Sequence, residues 1–274
     1  MEVLQRTANR GSISTGPYQI DNSLKFDRTN VGVLQTAYTG DGNTTTWTVS
    51  FWVKRTALAY DWDQLLGAAN TRIEFSAEDT LKVHLYNGAT FGYGYFWTER
   101  VFRDTSAWYH IVLQFDSTQS TAANRVKLWV NGEAQTNTNT ASPYTNIPQN
   151  GTTDWNVASN NFQIGYFFGG GRYFAGYMAD IYHTDGVAND ADAFGEFDED
   201  SGIWKPKAYA GSYGSKGFHY KFDNASSMGA DSSGNSMNST VNGVGASEQA
   251  TDSPTNLFCT LNPLYNYAYG NTIT

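Results

Sequence analysis

From Thr46 the chain reads TWTVSFWVKRT. Trp47, Val49, Phe51 and Val53 fall on one side of an extended strand, and Thr46, Thr48, Ser50 and Trp52 on the other. Similar runs follow: RIEFS from Arg72, LKVHLYN from Leu81, WYHIVLQFD from Trp108, RVKLWVNGE from Arg125, NFQIGYF from Asn161, YFAGYMADIYHTDG from Tyr173 and GFHYKFD from Gly217. Several end on Asn, Asp or Gly, the residues that turn a chain. The polar stretch from Asp116 to Asn124 reads as a hairpin loop. One short helix is predicted, around Asn189 to Phe197. Many short strands without intervening helices predict an all-β fold, a two-sheet antiparallel sandwich.

The pattern fails in three places. Residues 1 to 22 are mostly polar and broken by Gly11, Gly16 and Pro17, so they read as an N-terminal arm. Residues 134 to 160 are rich in Asn and Thr and predict a long loop, a feature often tied to function in a compact domain. Residues 223 to 256 hold almost no large apolar side chain and read as a surface excursion. The expected organisation is an arm over 1–22, a sandwich over 23–222, and a loop-rich C-terminal extension over 223–274 that packs on or flanks it.

Composition sharpens this picture. Charged residues make up only 16%, while eight Trp, eighteen Tyr and sixteen Phe supply the apolar area that offsets chain entropy, so global disorder is excluded. A net charge of −9 repels phosphates and argues against nucleic-acid binding. Cys259 is the single cysteine, so no intrachain disulfide forms. The opening MEVLQRTANRGS has no apolar signal core, and no run of roughly 18 apolar residues predicts membrane insertion. Residue usage is that of an extracellular protein, yet leader and disulfide are missing. A virion protein, assembled in a host cytoplasm and released by lysis, resolves that tension; an ordinary cytosolic β protein resolves it too.

The succession TVSFWVKR, WYHIVLQFD, RVKLWVNGE, FQIG and YFAGYMADIYHTDG, over roughly residues 23 to 185, resembles the laminin-G and pentraxin branch of the concanavalin A-like superfamily. The resemblance implies a jelly roll of two antiparallel sheets. Beyond it, FGE at Phe194, WKP at Trp204, the Tyr-x-Gly-x-Tyr-Gly run from Tyr209, GF at Gly217, DSSGN at Asp231 and DSPTN at Asp252 resemble laminin-G-like structural proteins of tailed bacteriophages. That likeness implies a virion surface role as fibre, spike or capsid decoration, with other virion proteins and sister subunits as partners. A homo-oligomer is then expected, with a trimer favoured.

Candidate chemistry is sparse. Glu196, Asp198 and Asp200 alternate as catalytic carboxylates of a glycan-cleaving strand do, but they lie between Gly195 and Ser201-Gly202, which is turn chemistry. We read them as a solvated acidic turn. His84, His110, His183 and His219 lack metal-ligand spacing and read as partly buried or edge histidines. Gly169 to Gly171 precede no helix and read as a hairpin tip rather than a phosphate loop. Calcium is the one cofactor suggested, because many members of the superfamily bind it; Asp231, Ser233 and Asn235 around Gly234 offer oxygens, with Asp185, Asp190 and Asp192 as further candidates, against an ion-free Asx turn. Glycan binding needs ring faces backed by polar groups. Tyr93, Tyr95 and Trp97, alternating in NGATFGYGYFWTER, are the first candidates, and Trp62 and Trp155 in polar loops the second; packing between sheets or subunits is the competing use of those rings. The expected function is a non-enzymatic phage virion protein binding host surface glycans. The alternative is a glycan-cleaving enzyme of the same superfamily.

Overall fold

The computed structural model describes residues 18–28, 32–88, 90–140, 143–167 and 172–256. Residues 1–17 of the arm expected over 1–22, the glycine run 169–171 and Cys259 lie outside the described residues. In chain order the first strands are β1 (Ser23–Phe26), β2 (Val33–Thr36), β3 (Thr46–Arg55), β4 (Asp63–Ala68), β5 (Thr71–Phe75), β6 (Thr80–Asn87), β7 (Thr90–Val101), β8 (Tyr109–Asp116), β9 (Val126–Val130) and β10 (Glu133–Ala134). There follow β11 (Phe162–Ile164), β12 (Tyr166–Phe167), β13 (Arg172–Tyr173), β14 (Gly176–Asp185), β15 (Gly195–Phe197), β16 (Trp204–Pro206), β17 (Phe218–Tyr220), β18 (Thr240–Asn242) and β19 (Gln249–Ala250).

Two antiparallel sheets face each other. The eight-stranded one runs β10-β9-β8-β3-β14-β1-β19, with β17 also on β14; the seven-stranded one runs β18-β2-β11-β4-β5-β6-β7. The alternation read from the sequence decides which residues meet between them. Trp47, Val49, Phe51 and Val53 of β3 are fully buried against Leu66, Ile73, Leu81 and Val83 in one core. Each such side chain contributes about 1.5–3 kcal/mol relative to exposure. The predicted sandwich is therefore the observed one.

One extra residue keeps β14 in phase with its neighbours. Its register on β3 shifts between Ala179 and Tyr182, and Asp180 there takes a left-handed φ of 51°. This bulge lets Met178 and Ile181 both face the core, while Tyr182 turns outward. The predicted helix at Asn189 to Phe197 shrinks to one 3₁₀ turn, Ala191–Ala193. Tertiary packing overrides it: Gly195 begins β15 and pairs with β16, so close under Trp204 that a Cβ there would lie 2.4 Å from the ring. Within 223–256, β18 extends one sheet at β2, β19 extends the other at β1, and Met228 and Met237 reach the core.

Candidate functional site

In an antiparallel pair, residues opposite each other share a face. On the outer face of the seven-stranded sheet one rung runs Gln35, Gln163, Gly67, Arg72, His84, Tyr95. The adjacent rung runs Gln64, Glu74, Lys82, Trp97. Six strands thus bring amides, charges and aromatic rings onto one surface, while Val83, Leu85 and Phe96 between them enter the core.

Glu74 ties the two rungs together. Its carboxylate accepts from Arg72 Nε at 3.1 Å and from His84 Nε2 at 2.7 Å. Burial pulls the His84 imidazole down by more than Glu74 raises it, so its pKa falls below 6.5 and the ring is neutral at pH 7. Burial acts on Glu74 in the opposite sense, upward, but the His84 hydrogen bond and the Arg72 charge outweigh it and hold the carboxyl low. The face therefore carries a fixed carboxylate whose charge is already matched by Arg72.

Aromatic rings surround this pair. Tyr95 meets His84 edge-on at 4.8 Å, its hydroxyl hydrogen-bonds that of Tyr86 at 2.8 Å, and its ring lies 6.0 Å from Trp97. Lys82 Nζ sits 4.7 Å above the Trp97 ring. Trp62 stacks 6.2 Å from His84 and carries two guanidiniums, Arg172 at 3.5 Å and Arg72 at 5.1 Å. Its backbone adopts a left-handed φ of 66°, a strained conformation for an aromatic residue and one that clusters at binding sites. Gln64 Oε1, His84 Nδ1 and Trp97 Nε1, all on these rungs, are buried without a hydrogen-bond partner. Buried polar atoms are normally paired, and six more such atoms lie elsewhere among the described residues, on Tyr38, Arg55, Asp63, Asn156 and His183.

Of the three expected platform residues, the structure brings Tyr95 and Trp97 together and separates Tyr93. The β6–β7 register shifts beside Gly94, whose φ is 108°, and Tyr93 packs against the core cluster instead. Trp155 is no platform. It is fully buried, 4.2 Å from Trp47, and donates Nε1–H to the Thr71 carbonyl. Its polar sequence neighbours concealed this, since the partners are far along the chain. Strand register alone places Arg72, Glu74 and His84 beside Tyr95; all four histidines lie buried within strands, and His219 is on β17, which pairs with β14 alone.

Asp231 organises a turn. Its carboxylate accepts the backbone N–H groups of His219, Ser233 and Met237 and the Ser233 hydroxyl, at 2.8–3.0 Å, while Asn235 Nδ2 donates to the Gly214 and Gly217 carbonyls. Asp185 likewise accepts from the backbone of Asn43 and Lys216 and from Ser215. Asp190 receives Gln114 Nε2. Among the described residues no three His, Cys, Asp or Glu side chains converge as a metal set. In the acidic stretch, Asp198 accepts from Asp200 N–H and from the amide and hydroxyl of Ser201, closing the turn from β15 to β16, and Lys205 bridges it to Glu196 at 3.3 and 3.4 Å.

The outer face of the eight-stranded sheet is built differently. Trp52, Trp108, Val112, Tyr182, Phe194 and Trp204 form a second apolar cluster over it, beneath the segment carrying β15 and β16. His110 holds this layer: it accepts Trp204 Nε1–H at 2.9 Å on Nδ1 and bonds Ser50 through Nε2, with burial pushing its pKa down to about 3. A groove of about 450 Å³ opens at its edge between Trp108, Trp204, Phe197 and Ile203. Nearby, Asp180 accepts from Tyr18 and His219 at 2.8 and 2.6 Å, fastening the segment from Tyr18 to Asn22 beside a cavity of about 90 Å³.

A two-sheet antiparallel sandwich with an aromatic and polar outer face is the architecture of lectin-like domains. The chain belongs to the concanavalin A-like lectin/glucanases superfamily: its laminin-G-type family model matches residues 28–192, more than half of the sequence. Among solved structures, a candidate carbohydrate binding protein from Bacteroides ovatus superposes with a TM-score of 0.61 at 18% identity, over 88% of this chain and 63% of that one. The chain thus spans less than two thirds of that relative, and the likeness speaks for the fold alone. The heptameric SAP-like pentraxin of Limulus polyphemus gives 0.40 at 14% identity, over 62% of this chain and 78% of that one. The CBM40 of the Ruminococcus gnavus IT-sialidase, solved with α2,3-sialyllactose, gives 0.34 at 15%, over 53% and 89%. Superpositions that loose carry no argument. No curated protein matches the chain. No helix among the described residues is long and apolar enough to cross a membrane.

Proposed function

We propose that this chain is a non-enzymatic structural protein of a bacteriophage virion, a capsid decoration or tail fibre or spike, whose laminin-G-like domain binds host surface glycans. The observation that carries the binding role is the pair of rungs Arg72–His84–Tyr95 and Glu74–Lys82–Trp97, where ring faces and fixed hydrogen-bonding groups share one surface. Sugars present C–H patches to rings and hydroxyls to such groups. The virion setting rests on the motif succession from Phe194 to Asn256. Those motifs act here as fasteners: Trp204 seals the covered face, Asp231 ties its turn, and Ser253 hydrogen-bonds the Ile20 carbonyl. A sandwich closed in this way suits a rigid displayed module on a homo-oligomer, for which a trimer is expected. Glu196 and Asp198 share Lys205 and serve their turn, which supports a role without cleavage.

A glycan array on the purified chain tests the reading, run with calcium and with a chelator. Specific binding is expected in both conditions, since Asp231 is fully engaged by the protein's own donors. Absence of binding to every glycan by folded protein would move the function to architecture alone. Antibody labelling of intact particles tests the virion surface setting.

A further inference from the structure

Arg172 stands apart from every other described arginine. Arg28, Arg55, Arg72, Arg100 and Arg103 each pair with a carboxylate, and Arg125 donates to the carbonyls of Gln119, Ser120 and Ile147. Among the described residues the Arg172 side chain has neither an ion pair nor a hydrogen bond; its contact is the Trp62 ring, 3.5 Å away. The chain carries 26 acidic residues against 17 basic ones, so an arginine without an acid is a chosen arrangement rather than a shortage of partners.

The stack fixes what this cation can do. A guanidinium lying over an indole is held by the ring's quadrupole and loses little further freedom on binding. Its N–H groups then point outward from its edge, the geometry that accepts a carboxylate through two parallel hydrogen bonds. Trp62 itself is placed by a strained left-handed backbone. Arg72 adds a second cation 5.1 Å from the same ring; of the carboxylates close by, Glu74 is taken by Arg72 and His84 and Asp63 by Arg28 and Arg55, while Asp61 is exposed beside Trp62 in the chain. In a molecule of net charge −9, the two guanidiniums on Trp62 put cations at this corner that can receive an anion.

Resting on the glycan-binding reading, we propose that the ligand is a carboxylate-bearing sugar and that Arg172, held on Trp62, receives the carboxylate while Tyr95 and Trp97 contact the ring. Two sources share that chemistry, uronic and sialic acids, and the probes separate them.

The experiment measures affinity of the full chain for oligogalacturonate, for the same oligomer with its carboxyls reduced to alcohols, for sialyllactose and for sulfated dextran. Tight binding is expected to the oligogalacturonate or to sialyllactose, with at least a tenfold loss on carboxyl reduction or removal of the sialic acid, and weaker binding to the sulfated polymer. Arg172→Gln should weaken acidic-sugar binding about tenfold with an unchanged melting temperature, and Arg172→Lys, which keeps the charge without the fork, should fall between. Neutral sugars bound as tightly as acidic ones, a preference for sulfate, or an Arg172→Gln protein that binds normally would each overturn the assignment while leaving glycan binding intact. A folded chain that binds none of the probes or any arrayed sugar overturns both.

Discussion

The sandwich has two outer faces, made from strands with the same alternation, and they end up with opposite characters. On the eight-stranded sheet the outward residues Trp52, Trp108 and Tyr182 are large, and a second apolar layer grows over them until Trp52, Trp108 and Trp204 are only 5–8% exposed. On the seven-stranded sheet the outward residues are Gln163, Arg72, Glu74, His84 and Lys82; all but Lys82 are buried as deeply, but among polar and aromatic neighbours, and no second apolar cluster forms there among the described residues. Outward apolar area drives a cover to form; outward charges and amides satisfy one another and leave partly exposed rings at the surface. One outer face is therefore apolar and the other polar and aromatic.

Substitutions can break that division. Trp204→Ala should cost about 3–5 kcal/mol in urea unfolding, because it empties the covered layer and orphans His110 Nδ1, yet glycan affinity of the folded fraction should persist. A slightly smaller effect is expected from pH at Asp63, the neighbour of Trp62. Burial raises its carboxyl to about 6 despite Arg28 at 2.8 Å and Arg55 at 3.8 Å. The folded state holds that proton more tightly than the unfolded chain, so this stabilisation is complete below about pH 4 and is lost as pH rises through 6. The loss amounts to about 3 kcal/mol. Melting of wild type should show this slope relative to Asp63→Asn, which lacks it. Gly195→Ala, pressing a methyl into the Trp204 ring, should destabilise by about 1–3 kcal/mol without touching binding. Trp97→Ala should reverse the pattern, with a stability change within about 1 kcal/mol and sugar binding weakened roughly tenfold. A stability loss at Trp97 as large as that at Trp204 would erase the distinction between the faces. On a polysaccharide panel, neither wild type nor Asp198→Asn should release reducing sugar.

Much of the sandwich is legible in the alternation itself. β3, β5, β6, β8, β9 and the core half of β14 follow from period two, since their core-facing side is apolar at every second residue even where the other side is buried too. Strands such as β1, β2 and β4 escape notice because they are short or buried on both sides and show no alternation. The candidate site is legible only in part. Tyr95 and Trp97 announce themselves as neighbours along one strand, but Arg72 and His84 join them by pairing across strands, and Arg172 joins them through a stack on Trp62. Tyr93 fails for a local reason, a register shift at Gly94 that period counting does not see.

The two ends of the described chain meet. Ile20 N–H donates to Thr255, Ser253 hydrogen-bonds the Ile20 carbonyl, β1 pairs with β19, and Asp252 grips both Lys54 and Trp108. Mechanically, this makes one corner the fixed end of the domain. Tension arriving from either flank is passed through Asp252 into β3 and β8, the middle of the eight-stranded sheet, whereas the Tyr95–Trp97 strand is the last of the other sheet, bordered by the segment from Asn137 to Pro143. A pull at that corner therefore loads the eight-stranded sheet before it reaches β7.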